Sequence, residues 1–360
     1  MTDVDVARRR LLSQRIAGER FGKPADVVRW MGAMQAQDYR QALWAIGVRM
    51  ATPSVADVEA AIAERRIVQT WPMRGTLHFV AAEDAKWMLE LLAPRRLAAD
   101  TSRRRQLELD EETLARGADL IREALQGGGR LTRSAVMRLL EDAGISPKGQ
   151  RGYHILWYLA QTGLICLGPL QNKQQTFVLL DEWVPAPRRL VRDEALTELA
   201  GRYFASHGPA AVDDFATWAG LTLADARAGL EAAKPGMRSE KRGAKEYWSA
   251  ADAPDHEMHD TSGVYLLAGF DEYLLGYKDR GDVLAPEHAG KVVPGGNGIF
   301  FPIIVVGGQV AGTWKRTLKK SGVAITLRPF SRLDVSQERL VAAAQRYSDF
   351  LGVPLLSAES

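Results

Sequence analysis

The feature that most constrains this chain is a string of elements that returns. LTRSAVMRLLEDAGI (Leu131–Ile145) spaces its apolar residues at three and four, offers Thr132 or Ser134 as a cap and stops at Gly144, which predicts a short helix. A longer helical segment, Gly149–Thr162, follows, and Ile165–Trp183 then runs apolar, polar, apolar, as a hairpin does. With the helical pattern of Glu111–Leu125 in front, the order is helix, helix, helix, hairpin, that of a winged helix. The string recurs about 79 residues later, with helices at Glu194–Ser206, Ala210–Leu221 and Leu221–Ala233 and strand-like pieces at Glu246–Ser249 and Gly263–Leu267. A fainter copy lies near the start, where ADVVRWMGAMQAQ stands between a first helix, Val6–Ile16, and an Ile67–Val80 hairpin. The expectation is an α+β chain of three tandem winged-helix units, divided as 1–94, 95–190 and 191–360. The last unit carries a strand-rich part, Gly263–Phe330, and a closing helix, Asp334–Leu351, with an acid at its start.

At 360 residues the chain exceeds one ordinary domain, and 46% apolar with 25% charged residues is globular composition. The net charge of +3 permits nucleic-acid binding without requiring it, because clustering on one face decides. The longest apolar stretch, Ile299–Val306, is interrupted by Pro302 and is too short to span a bilayer. MTDVDVARRRLL begins with acids and lacks the apolar core of a secretory signal, and the single cysteine, Cys166, fits a reducing cytoplasm. A cytoplasmic protein associated with the nucleoid, and a monomer, is expected.

Several chemistries find no support. His256-Glu-Met-His259 places Asp260 where a zincin needs its second histidine, so no metal is expected. Gly127–Gly129 and Gly295, Gly296 and Gly298 lack the lysine and helix of a phosphate loop, and no cofactor is implied. No Gly-x-Ser-x-Gly elbow appears, and Cys166 falls within a strand pattern. Arg95, Arg96, Arg103, Arg104 and Arg105 read as a solvated helix face, whereas Lys315, Arg316, Lys319 and Lys320 follow Trp314 at a hairpin end, where a wing would meet a groove. Gln35-Ala36-Gln37 closes the second helical segment. Residues two apart on a helix diverge by about 200°, so the two amides converge only if the helix ends there, and Asp38-Tyr39-Arg40-Gln41 supplies such an end.

Met34–Met50, Thr70–Asp84, Phe270–Arg280 and Gly298–Arg316, in this order and spacing, resemble the tandem winged-helix DNA glycosylases, the AlkZ-like family, across about Val6 to Phe350. Members remove alkylated bases, and some unhook interstrand crosslinks. The family's catalytic signature, glutamine, a hydrophobic residue, then glutamine or aspartate, is matched in its glutamine form by Gln35, Ala36 and Gln37. The resemblance also implies that Arg74, Thr76 and His78 lie near the site and that Lys278, Arg280, Lys315 and Arg316 contact DNA. It implies a monofunctional enzyme acting on double-stranded DNA with alkylated purines, without a cofactor. The rival expectation is a non-catalytic winged-helix regulator. Against it, the Gly149–Thr162 helix offers Lys148, Gln150, Arg151 and His154 near its start but is otherwise apolar, and no dimerising heptad is visible.

Overall fold

The computed structural model describes residues 2–253 and 260–359, and the His256–His259 motif therefore lies outside the described residues. The architecture is α+β, in two compact units, one of residues 59–195 and one of residues 1–58 with 196–360. Among the described residues no helix is long and apolar enough to cross a membrane.

In the 59–195 unit the helices Glu111–Leu125, Arg133–Asp142 and Arg151–Gln161 close with the hairpin Ile165–Gln171/Gln174–Leu179 on one apolar core. Ile121, Leu140, Ile155, Leu159, Leu167 and Phe177 meet in it. Two of the helices start on side-chain caps, Asp110 accepting from the Thr113 amide and Thr132 from that of Ala135. Ile67–Met73 pairs with Thr76–Ala81 and continues into the sheet through Ile165–Gln171. Both hairpins turn on two residues with positive φ, Arg74 and Gly75 in one and Asn172 and Lys173 in the other. This twist matches that of the paired strands. Pro72 lies inside its strand, at a register shift between Thr70 and Met73, where no ladder donor is needed.

The other unit carries a five-stranded sheet in the order Leu355–Glu359, Gly322–Pro329, Gln309–Lys319, Ile303–Val306, Val264–Leu267. It is antiparallel except at Leu355–Glu359, which the sequence reading does not anticipate. The helix Gln337–Leu351 brings Tyr347 and Phe350 against Trp44, and Tyr347 also against Trp314. This helix starts at a Ser336 cap, not at Asp334. A separate ribbon pairs Met237–Arg242 with Lys245–Ala250, beside the helices Arg192–His207, Val212–Ala219 and Leu223–Ala233.

Buried charge ties distant segments of this unit together. The Arg49 guanidinium, fully buried, donates to both oxygens of Asp271 at 2.9 and 2.8 Å, to the Ala45 carbonyl at 2.7 Å and to Gln14 Oε1 at 2.6 Å. Asp271 also caps the short helix Glu272–Leu275 through the Tyr273 amide. Arg10, also fully buried, pairs with Asp282 at 3.2 Å and lies over the Tyr277 ring. His207 stacks on Tyr203 with centroids 4.7 Å apart, and burial pushes its imidazole pKa below 6.5 against the pull of the Glu272 carboxylate.

Two outcomes follow. Arg49→Met leaves Asp271 buried without its partner and should cost about 3–5 kcal/mol in urea unfolding, part of it recovered when Asp271→Asn is added. A single variant that unfolds like the wild type would refute the coupling. Below about pH 6.5 the unfolded chain takes up a proton that folded His207 refuses, so stability falls as pH drops through that value. The stability advantage of the wild type over His207→Gln should therefore narrow between about pH 7.5 and 5.5; a constant gap would contradict it.

Candidate active site

The helix Pro24–Met31 ends at Gly32, whose φ of 76° favours a residue without Cβ. A Cβ there would stand 3.5 Å from Cη2 of Trp218. The chain then extends through the strand Ala33–Gln35, and the next helix, Tyr39–Gly47, opens on Asp38, which accepts from the Gln41 amide at 3.2 Å. The glutamine pair therefore does not close the helix, as the sequence reading has it. Gly32 breaks the helix first, although Met34 continues the apolar spacing. The strand itself ends at Gln35, and Gln37 lies at a bend just before the Asp38 cap. Gln35 is half-buried, Ala36 buried and Gln37 exposed.

The backbone of this segment is held from below. The Gln35 amide donates to Glu272 Oε1 at 3.0 Å, and Trp218 Nε1 donates to Glu272 Oε2 at 2.9 Å. Glu272 is 1% exposed, with His207 Nε2 3.7 Å from Oε2. The sequence reading missed Glu272, Trp218 and His207. The one signal available was the acidic pair Asp271-Glu272 inside an otherwise apolar FDEYLL run. The neighbouring Gln41 side chain accepts from the Gly269 amide at 2.9 Å, a second link between the two segments.

The segment that carries Glu272 continues to Lys278 and Arg280. Lys278 is exposed, with its ammonium 3.5 Å from Asp213 and its amide donating to Asp214. Arg280 donates to the Leu274 carbonyl at 2.8 Å and lies 4.9 Å from the Phe300 ring centre. On the strand Gln309–Lys319, Lys315 is exposed, whereas Arg316 is half-buried and donates to the Tyr347 hydroxyl. Lys319 and Lys320 stand exposed where this hairpin turns.

In the 59–195 unit, Arg74, Thr76 and His78 come together on one hairpin. His78 Nδ1 lies 2.8 Å from the Thr76 carbonyl, and Arg74 Nη2 lies 3.1 Å from His78 Nε2. A carbonyl only accepts and a guanidinium only donates, so the ring carries its proton on Nδ1 and accepts on Nε2. His78 is fully buried and acts as a prop for Arg74; Thr76 contributes its carbonyl. The turn is backed by Trp157, which donates to the Gly75 carbonyl. Cys166 is also buried, and burial pushes its thiol well above the usual range, away from the reactive thiolate.

The family model described as AlkZ-like, DNA glycosylase AlkZ-like, matches residues 28–350, a span that includes Gln35–Gln37, the Glu272 segment and the basic hairpin. Among curated proteins, the interstrand DNA cross-link repair glycosylase of Streptomyces sahachiroi is 29% identical, over 81% of this chain and 81% of that protein. Among solved structures, the DNA glycosylase AlkZ of Streptomyces sahachiroi is similar with a TM-score of 0.83 at 24% identity, over the whole of both chains, a likeness of fold. With the family model covering most of its length, this chain belongs to the AlkZ-like DNA glycosylase family.

Proposed function

We propose that this protein is a monofunctional DNA glycosylase of the glutamine-x-glutamine type, which removes N7- or N3-alkylated purines from double-stranded DNA. The curated relative is named for interstrand cross-link repair, and crosslinked purines belong to the same chemical class. The observation that carries the reading is the Gln35–Gln37 segment, which leaves the helix at Gly32 and presents an exposed Gln37 beside a half-buried Gln35, with Ala36 buried between them. Three tandem winged-helix units, 1–94, 95–190 and 191–360, are the architecture we assign to it, in a chain acting as a monomer. Family membership supports an enzyme over a non-catalytic regulator.

An alkylated purine already carries positive charge and leaves as a neutral base, so no general acid is needed. The remaining task is to hold a water against an oxocarbenium-like sugar. A glutamine carbonyl accepts from that water while its NH₂ donates to a sugar or phosphate oxygen. In this reading Gln35 and Gln37 share those roles. Exposed Lys278 and Lys315 take phosphates; Arg280 and Arg316, oriented by Leu274 and Tyr347, present guanidinium edges; and Arg74, propped by His78 and Thr76, does the same.

Duplex DNA containing 7-methylguanine tests the reading by release of free base. Gln37→Ala should lower the rate at least about 100-fold while the dissociation constant for DNA changes less than about twofold. Equal release by this variant would refute the assignment of Gln37, and no release by the wild type from this duplex or a crosslinked one would refute the enzymatic reading. Lys315→Ala should weaken binding alike on all sequences and reduce the slope of log affinity against log salt by about one. An unchanged slope would remove Lys315 from the interface.

A further inference from the structure

Resting on the glycosylase reading above, we propose that Glu272 is a positioning residue of the reaction, whose buried carboxylate fixes the Gln35 peptide and so sets the attitude of both glutamines. At 1% exposure it is shut off from the surface, so its action passes through the segment it holds. A side chain that places an attacking water must be held within about 0.5 Å of the productive geometry. The strand Ala33–Gln35 is three residues long, and a strand so short supplies little rigidity of its own. The carboxylate adds a charge-assisted bond to the Gln35 amide, at the end of this short strand.

Glu272 is itself locked. Trp218 Nε1 donates to its second oxygen, the Gln14 side chain donates to its carbonyl at 3.3 Å, and Asp271 beside it is clamped by Arg49. The same Trp218 indole packs against Gly32, so one carboxylate–indole pair grips both the turn that ends the helix and the residue that begins the motif. A buried charge is a poor way to gain stability, since apolar groups of equal volume often do as well. What an apolar residue could not do is accept from two fixed N–H groups at once, and this is what the geometry uses.

The test turns on hydrogen-bond polarity. In Glu272→Gln the carboxamide has one accepting oxygen for two donors, so its NH₂ must face either the Gln35 amide or the Trp218 indole. Expected are a kcat for 7-methylguanine release lowered at least about tenfold, a DNA dissociation constant within about twofold and faster hydrogen exchange of the Gln35 amide. Adding Trp218→Phe removes the second donor and frees the carboxamide oxygen for Gln35, so the double variant E272Q/W218F should recover both kcat and amide protection relative to E272Q. A purely structural role would make the double variant worse than either single one. The proposal is overturned if E272Q keeps kcat within twofold, if its Gln35 amide exchanges as in the wild type, or if the double variant recovers neither property. If E272Q is too unstable to assay, the double variant, which lacks the indole donor, carries the same test against the wild type. A wild type that releases no base overturns the glycosylase reading, while Gln35 exchange still decides whether Glu272 holds the segment.

Discussion

Arg49 and Asp271 meet as a fully buried, two-pronged ion pair, and much of the larger unit is arranged around keeping them satisfied. Neither charge tolerates burial alone, so each recruits further partners: Arg49 the Ala45 carbonyl and the Gln14 amide oxygen, Asp271 the Tyr273 amide. Gln14, Arg49 and Asp271 come from three widely separated parts of the chain. Their convergence determines where the 270–280 segment enters the core, and hence where Glu272 can stand. A shift of that segment would expose unpaired charge, a larger penalty than most lost apolar contacts.

This arrangement separates support from chemistry. The carboxylates Asp271, Glu272 and Asp282 are buried and engaged, whereas Gln37 and the ammonium groups of Lys278 and Lys315 face outward. The net charge of +3 is therefore a poor guide to the surface. The pairs Arg10–Asp282 and Arg49–Asp271 cancel within the sum, but Glu272 counts as negative while it is buried away from the surface. What a nucleic acid would meet is the exposed remainder, and the basic hairpin end at Lys319 and Lys320 belongs to it.

Legibility in the sequence followed the source of each element's stability. The Ile67–Ala81 hairpin was readable because it is rich in β-branched and aromatic residues punctuated by Pro72 and Gly75, and the helix Glu111–Leu125 because its apolar stripe is regular. Met237–Arg242 was not, because MRSEKR lies half-exposed in a two-stranded ribbon and carries almost no apolar signal. The strand Ala33–Gln35 was misread for the opposite reason. Val27, Val28, Met31 and Met34 keep helical spacing across Gly32, whose positive φ ends the helix with Trp218, nearly two hundred residues away, packed against the turn. Gln35 and Gln37 were found through resemblance, and the residue beneath them was not found at all. A buried acid looks like a surface acid until its partners are known, and its partners here include a backbone amide and an indole, with His207 close by.

The choice of glutamine clarifies why a support of this kind matters. An aspartate in the same place could pull a water toward itself by charge, over a range of orientations. A neutral carboxamide has only dipoles, and its usefulness depends on pointing the carbonyl at the water and the NH₂ at the sugar or phosphate. For a leaving group that is already cationic this weaker assistance suffices, provided that orientation is maintained. The demand on the protein then moves from tuning an ionisation to holding a peptide still. A bidentate carboxylate under that peptide, wedged by an indole and anchored by a buried ion pair, meets the demand without placing a titratable group at the reacting centre.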